Sequence, residues 1–326
     1  MKSGTEPSGR KDGASLSLWL LSLLCMTIFA CNSIFCRAAL TADSTGDPAM
    51  GPVLYTAVRC LVAGFVLALL SIAGHIRVPG KGAGKSAAKT AGRDKEKSSS
   101  VWQDAMAQSS WSGALFLFLY MFCFSLAYVD IASAPGTLIL NMCVQFAMVG
   151  FGMLHGVFPG RLEYAGLAVA LAGLIALLSP GLTAPSPAGS LLMAFAGFSW
   201  GAYSLCGRRA VDAGIATAGY FWRASLFALA SLIFALIFER APYGPAMLFA
   251  VAGGLASSLG YILWYAIVPR FSLAGSAVIQ LSVPVLTALL GAFFLSEAIT
   301  LRIVICSALV LGGICMALMT RHSSRN

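Results

Sequence analysis

Ten stretches of this chain are each long and apolar enough to cross a lipid bilayer, and no other feature limits the fold so tightly. They lie near 16–38, 53–74, 111–130, 133–155, 164–180, 187–207, 216–238, 245–268, 273–295 and 299–320. A spanning helix needs about 20 predominantly apolar residues, whereas a barrel strand needs roughly 9–11 in alternation, which these runs lack. Only 10% of the residues are charged against 59% apolar, too few to keep a water-soluble domain in solution. The expected fold is an all-α polytopic membrane protein with ten transmembrane helices. The first stretch follows Lys2, Arg10 and Lys11 much as a signal peptide would. Its apolar run exceeds the usual 7–15 residues and no small-residue cleavage site follows, so it reads as a retained span.

The second five spans read as an inverted copy of the first five. Phe29-Ala-Cys-Asn-Ser-Ile-Phe-Cys-Arg37 in the first span has a counterpart in Trp200-Gly-Ala-Tyr-Ser-Leu-Cys-Gly-Arg208 in the sixth, and the next span in each half carries an arginine, Arg59 and Arg223. A constant offset of 139 pairs Asn141 with Gln280, Gln145 with Pro284 and Gly173 with Gly312. Tyr261, Trp264 and Tyr265 share a helical face matched in the third span by Phe124, Ala127 and Tyr128. An odd number of spans per copy makes the copies cross the membrane in opposite senses, the arrangement of secondary transporters whose substrate site lies between repeats. The expected units are a tail at 1–15, a first repeat at 16–180, a second at 187–320 and a tail at 321–326.

With the N-terminus in the cytoplasm, sixteen of the 21 Lys and Arg fall in cytoplasmic segments; Arg37, Arg240 and Arg302 fall outside, and Arg59 and Arg223 within spans. The positive-inside bias therefore predicts both termini in the cytoplasm. The net charge of +9 follows from this placement and gives no support to a nucleic-acid partner. Residues 75–110 are rich in Gly, Ser, Lys and Ala and read as a disordered cytoplasmic linker. The nine cysteines fall inside spans without a CxxC or Cys/His cluster, so no metal site and no cofactor are expected. No Asp, Glu or His lies deep in a span, which removes intramembrane proteolysis, zinc hydrolysis and a mid-membrane carboxylate relay for protons. No enzyme is expected.

Arg59 and Arg223 each lie about six residues into a span, close enough to one interface to snorkel; a gating role or contact with a substrate carboxylate is the other reading. Asn141 and Gln145 are four apart on the fourth span, as are Gln280 and Pro284 on the ninth, where the proline frees a carbonyl that must be satisfied or line a cavity. Gly197-x3-Gly201 and Gly152-x3-Gly156 read as close helix packing.

These residues resemble the drug/metabolite transporter superfamily, in particular its EamA-type ten-helix members. The resemblance runs over 16–320 and is densest at 253–320. There the chain has Gly-Gly-Leu-Ala-Ser-Ser-Leu-Gly-Tyr-Ile-Leu-Trp-Tyr, then Gln280-Leu-Ser-Val-Pro-Val-Leu-Thr-Ala-Leu-Leu-Gly, Leu295-Ser-Glu-Ala-Ile-Thr300 and a Gly-containing last helix. Phe29-Ala-Cys-Asn32…Arg37 is similar to the family's Trp-Gly-x-Asn opening with Phe and Ala substituted. Gln145 stands where the family usually has Pro, and Phe158-Pro-Gly-Arg161 where it usually has a helix-ending Glu. The resemblance implies a secondary transporter exporting a small organic metabolite, such as an amino acid, by alternating access. The candidate cavity residues are Asn32, Asn141, Gln145, Trp200, Tyr203, Tyr261, Trp264 and Gln280, with Pro284 shaping its helix and Arg59 or Arg223 taking a gating or carboxylate role. The expected partners are a small-molecule substrate and the bilayer, and a homodimer is left open. Without a deep carboxylate, facilitated exchange or export down a gradient is expected, or coupling through another group. A passive pore, for which the polar residues are sparse, and a scaffold docking through 75–110 are the other two classes.

Overall fold

The computed structural model describes residues 16–41, 49–73, 98–156, 158–181, 184–240, 242, 244–271 and 273–323; the tail 1–15 and most of the linker 75–110 lie outside them. The described residues are all helix and short connections. In chain order the helices are α1 Leu16–Leu40, α2 Pro52–Ile72, α3 Ser98–Gln108, α4 Trp111–Asp130, α5 Ser133–Leu154, α6 Arg161–Leu178, α7 Pro187–Cys206, α8 Ala213–Phe238, α9 Gly244–Ile267, α10 Leu273–Gln280, α11 Ser282–Leu295 and α12 Leu301–Ser323. Among the described residues, nine segments are long and apolar enough to cross a membrane, which makes this a multi-pass membrane protein. The sixth expected span, now α7, is a helix of 20 residues but is not among the nine. Its three glycines, its serines, Trp200 and Tyr203 dilute the apolar content, and its C-terminal turns contribute to a cavity.

Two expectations need correction. The linker is not without structure throughout, since its residues 98–108 form α3, which packs on α8. Val101 and Ala105, four apart, are buried, and Trp102 meets Trp222 edge to face at 4.7 Å. The ninth span is not one helix but breaks at Leu281 between α10 and α11. Pro284 has no N–H to donate to the carbonyl of Gln280, four residues back, and the helix gives way at that unsupported turn. In its place the Leu281 N–H bonds the Val278 carbonyl at 3.1 Å and the Ser282 hydroxyl bonds the Ile279 carbonyl at 2.7 Å. Gln145, which the 139 offset sets opposite Pro284, keeps its N–H, and α5 runs unbroken.

α1 lies against α9 and α11, and α7 lies against α4 and α5; α2 pairs with α8, and α6 with α12. In lipid there is little hydrophobic gain in bringing helices together, so close packing at small residues has to hold them. Gly197 and Gly201 do this for α7: a Cβ at either would come within 2.6 Å of α5 atoms. Gly156 does not repeat the motif, since it lies past the end of α5 with φ +77° and open space around it. Gly166 and Gly313 bring α6 and α12 together, where a Cβ on Gly313 would lie 2.5 Å from both the Ala170 nitrogen and the Gly166 carbonyl oxygen. Gly312, next in sequence, meets nothing within 4 Å. Gly313→Ala is therefore expected to destabilise the protein by about 1–3 kcal/mol through overpacking. Gly312→Ala should be neutral or slightly stabilising, since Ala favours helix over Gly by up to about 1 kcal/mol. Thermal unfolding of the two variants in detergent, monitored by size-exclusion chromatography, checks this.

Candidate solute site

One end of the bundle is sealed by side chains that satisfy helix termini. Helix N-termini leave N–H groups without partners and C-termini leave carbonyls. After α11 the chain turns through Ser296 in the left-handed conformation (φ 54°), and the Glu297 N–H returns to the Gly291 carbonyl at 3.1 Å. A left-handed residue just past the last turn is a common way for a helix to stop. The turn folds the Glu297 carboxylate back over α11, where Gly291 leaves room; a Cβ there would lie 2.7 Å from the carboxylate oxygen. The carboxylate accepts the Ser133 N–H at 3.0 and 3.1 Å and the Ser133 hydroxyl at 2.5 Å, which caps the start of α5. Arg37, in the last turn of α1, sits 3.6 Å from the same carboxylate. Its Nη1 donates to the carbonyls of Tyr128 and Val129 at 2.7 and 2.8 Å, the end of α4. Glu239, past α8, accepts from the Val53 and Leu54 N–H groups at the start of α2 at 3.1 and 2.8 Å. Arg302 of α12 donates to the Ala176 and Ser179 carbonyls at the end of α6.

Toward the opposite, Arg208 end the helices part around a cavity of about 240 Å³. The last turns of α7 supply Trp200, Tyr203 and Ser204, the 3-10 turn after it supplies Arg208, the first turns of α8 supply Thr217 and Tyr220, α9 supplies Tyr261, Trp264 and Tyr265, and Phe29 and Gln280 line it as well. Gln280 is the last residue of α10, next to the break. The wall residues brace one another. Phe29 packs edge-on to Tyr261 and Trp264 with centroids at 6.0 and 6.4 Å, and Tyr203 packs edge-on to Tyr220 at 5.3 Å. The Thr217 hydroxyl donates to the Tyr265 hydroxyl at 3.0 Å and lies 3.3 Å from that of Tyr203. This is an apolar pocket with a few convergent hydroxyls and an amide, the usual make-up of a small-molecule site.

Between the cavity and the sealed end lies Arg59, only 2% exposed. Its Nε donates to the Ser257 hydroxyl at 3.1 Å and its Nη2 to the Tyr120 hydroxyl at 3.4 Å, while Ser257 bonds the Asn32 amide oxygen at 3.0 Å. The guanidinium lies over the rings of Phe124 and Tyr120, 5.0 and 5.8 Å from their centroids. Nη1 has no partner, and among the described residues no carboxylate is within ion-pair distance.

Of the residues expected from the sequence, Trp200, Tyr203, Tyr261, Trp264 and Gln280 meet around the cavity. Asn32 does not line it but belongs to the Arg59 cluster. Asn141 bonds the Thr137 carbonyl of its own helix at 2.8 Å, and neither it nor Gln145 reaches the wall. Arg59 does not snorkel. Arg223 turns instead to α3, donating to the Met106 carbonyl at 3.0 Å and to the Ser109 hydroxyl, with the Trp111 ring 5.4 Å away. Thr217, Tyr220 and Phe29 were not among the expected wall residues. Tyr265 was legible as the next turn of the Tyr261 face, whereas nothing local marks Thr217.

Comparison with known proteins fits this geometry. The EamA-like transporter family matches residues 187–319, from α7 through α12. Over 303 residues the chain is 37% identical to "Uncharacterized protein PA1977" of Pseudomonas aeruginosa, covering 93% of this chain and 94% of that one. The chain belongs to the EamA-like transporter family. A solved crystal structure, 22% identical, superposes with a TM-score of 0.55 over 94% of this chain and 99% of its own, so this EamA-like transporter shares its fold. EamA-family members are membrane transporters, which suits a cavity within a multi-pass bundle.

Because Glu297 serves both the α5 N-terminus and Arg37, its variants should rank. Glu297→Gln keeps an acceptor for the Ser133 N–H but loses the charge beside Arg37. Glu297→Ala leaves both unserved and is expected to cost roughly 1–3 kcal/mol. Thermal unfolding in detergent should order the proteins wild type, Gln, Ala; an Ala variant as stable as wild type would show that the clamp does not hold this end shut.

Proposed function

We propose that this transporter works by alternating access between two inverted five-helix repeats, residues 16–180 and 187–320, with the solute held in the cavity between them. The repeats would rock about that site so that it opens to one side of the membrane and then the other. The cargo is a small organic solute, an amino acid or a related metabolite, moved outward across the cell's inner membrane with both termini in the cytoplasm. In this orientation the cavity faces the cytoplasm, with Arg208 at its mouth, and the Glu297–Arg37 clamp closes the outside.

The observation that carries this reading is that related sequences stand in unlike states. Arg37 and Arg208 end the same repeated word, yet Arg37 is locked to Glu297 and the end of α4 while Arg208 is exposed at the cavity. Phe124 and Tyr128, the counterparts of Tyr261 and Tyr265, are 1% and 0% exposed, whereas the latter pair line open space. The packing also exchanges under the repeat: α1 on α9 and α11 becomes α7 on α4 and α5, and the pairs α2–α8 and α6–α12 map onto themselves. On this reading Asn141, Gln145 and the Phe124 face would line the pocket once the Arg37 end opens, in the place Gln280 and the Tyr261 face hold now.

Purified protein in proteoliposomes preloaded with unlabelled amino acids should take up radiolabelled ones by counterflow, with saturation. Trp264→Ala and Gln280→Leu are each expected to cut the initial rate at least roughly 10-fold, the loss of about 1.4 kcal/mol of solute binding. Flux that rises linearly without counterflow would make the protein a pore, and flux unchanged in both variants would move the site elsewhere.

A further inference from the structure

Resting on the transporter reading, we infer that Arg59 is the receptor for a carboxylate on the solute, and that the cavity selects organic monocarboxylates with a ring-sized apolar body. A buried arginine kept for structure alone is normally given a carboxylate or a full set of acceptors, because an uncompensated charge in a low-dielectric interior is costly. Arg59 has neither. Ser257 and Tyr120 use one donor each, two aromatic faces lie beside the guanidinium, and Nη1 is buried without any acceptor. Cation–π contact returns only about 0.5–2 kcal/mol. The guanidinium fork is matched to the two oxygens of a carboxylate, and such charge-assisted pairs are among the strong hydrogen bonds.

Position links this group to the cavity on three sides. Ser257, which holds Nε, lies one helical turn before the wall residue Tyr261 on α9. Asn32, which bonds Ser257, lies one turn after the wall residue Phe29 on α1. Tyr120, which meets Nη2, packs its ring 4.8 Å from the ring of the wall residue Trp200. Arg59 therefore sits about one turn, some 5.4 Å, deeper than the wall. That step matches the reach from a carboxylate across a short linker to a ring held among Trp200, Tyr261 and Trp264. The same surroundings argue against a phosphate ester, whose oxygens would need several more donors, because Ser257 already gives its proton to the Asn32 amide oxygen.

Three probes of one body decide the matter: 3-phenylpropanoate, 3-phenylpropanamide and 3-phenylpropylamine, titrated onto the purified full-length protein by tryptophan fluorescence and thermal shift. Wild type is expected to bind the propanoate at least roughly 10-fold more tightly than the amide or the amine. Arg59→Gln should weaken the propanoate by roughly 10- to 100-fold and leave the amide unchanged, the size expected for losing a charged hydrogen bond. Arg59→Lys, which keeps the charge without the fork, should fall between. If Arg59→Gln is not monodisperse, Arg59→Lys and Arg208→Gln decide: a carboxylate preference unchanged in Arg59→Lys and lost in Arg208→Gln assigns the preference to the cavity mouth and overturns the inference. Amide binding as tight as propanoate, unchanged propanoate binding in Arg59→Gln, or no binding of any probe overturns the inference. The counterflow result is independent of these outcomes, so saturable exchange with no preference for carboxylates would remove the role of Arg59 and keep the transporter.

Discussion

The arrangement depends on one carboxylate meeting one helix N-terminus. Within a bilayer no water is present to satisfy the last N–H and C=O groups of a helix, so an end of a bundle can close only where the protein supplies its own partners. Glu297 supplies them to the start of α5 and draws in Arg37, which covers the end of α4. Glu239 does the same for the start of α2. Both acids follow helices of the second half and cap helices of the first, with the sign the helix dipole favours. At the opposite end the Asp212 N–H donates to the Gln108 amide oxygen at 2.7 Å and Arg223 donates to Ser109 and Met106, which fastens α3 to α8. The cavity lies toward that end.

The closed end and the cavity are joined by a column of rings. Tyr128, Phe124 and Tyr120 follow one another at four-residue spacing on α4 with centroids 4.6 and 5.6 Å apart, and Tyr120 then meets Trp200 at 4.8 Å. Arg59 lies against the middle of that column. On the reading proposed above, a solute bound at Arg59 would touch side chains whose packing extends to the carbonyl of Tyr128, which Arg37 holds.

Much of this was legible in the sequence because lipid leaves few options. Apolar runs about 20 residues long become helices, and the observed bounds of α4, α5 and α12 differ little from the expected spans. The Tyr261–Trp264–Tyr265 face that became a cavity wall follows from helical spacing, and Pro284 was legible as a missing hydrogen bond though not as a break in the ninth span. What escaped was decided by long-range geometry. Glu297 was visible as the end of a helix, but Ser133 and Arg37, its partners, lie 164 and 260 positions away in sequence. Arg59 looked able to snorkel because its distance to the interface was short. That it turns inward depends on Ser257 and Tyr120, on two other helices. α3 looked polar and low in complexity until Arg223 gave its last carbonyls a cation and α8 gave Val101 and Ala105 a surface.

The most direct test compares matched positions at the two ends. With the nine native cysteines replaced, single cysteines at Trp264 and Ala127 would be probed with a membrane-impermeant maleimide from each side of oriented vesicles. The residue at 264 should label from the cytoplasmic side, and that at 127 should be protected until Glu297→Ala frees the clamp, then label from the outside only. Labelling of both from the same side, or continued protection of 127 without Glu297, would contradict a carrier held shut at one end by that carboxylate.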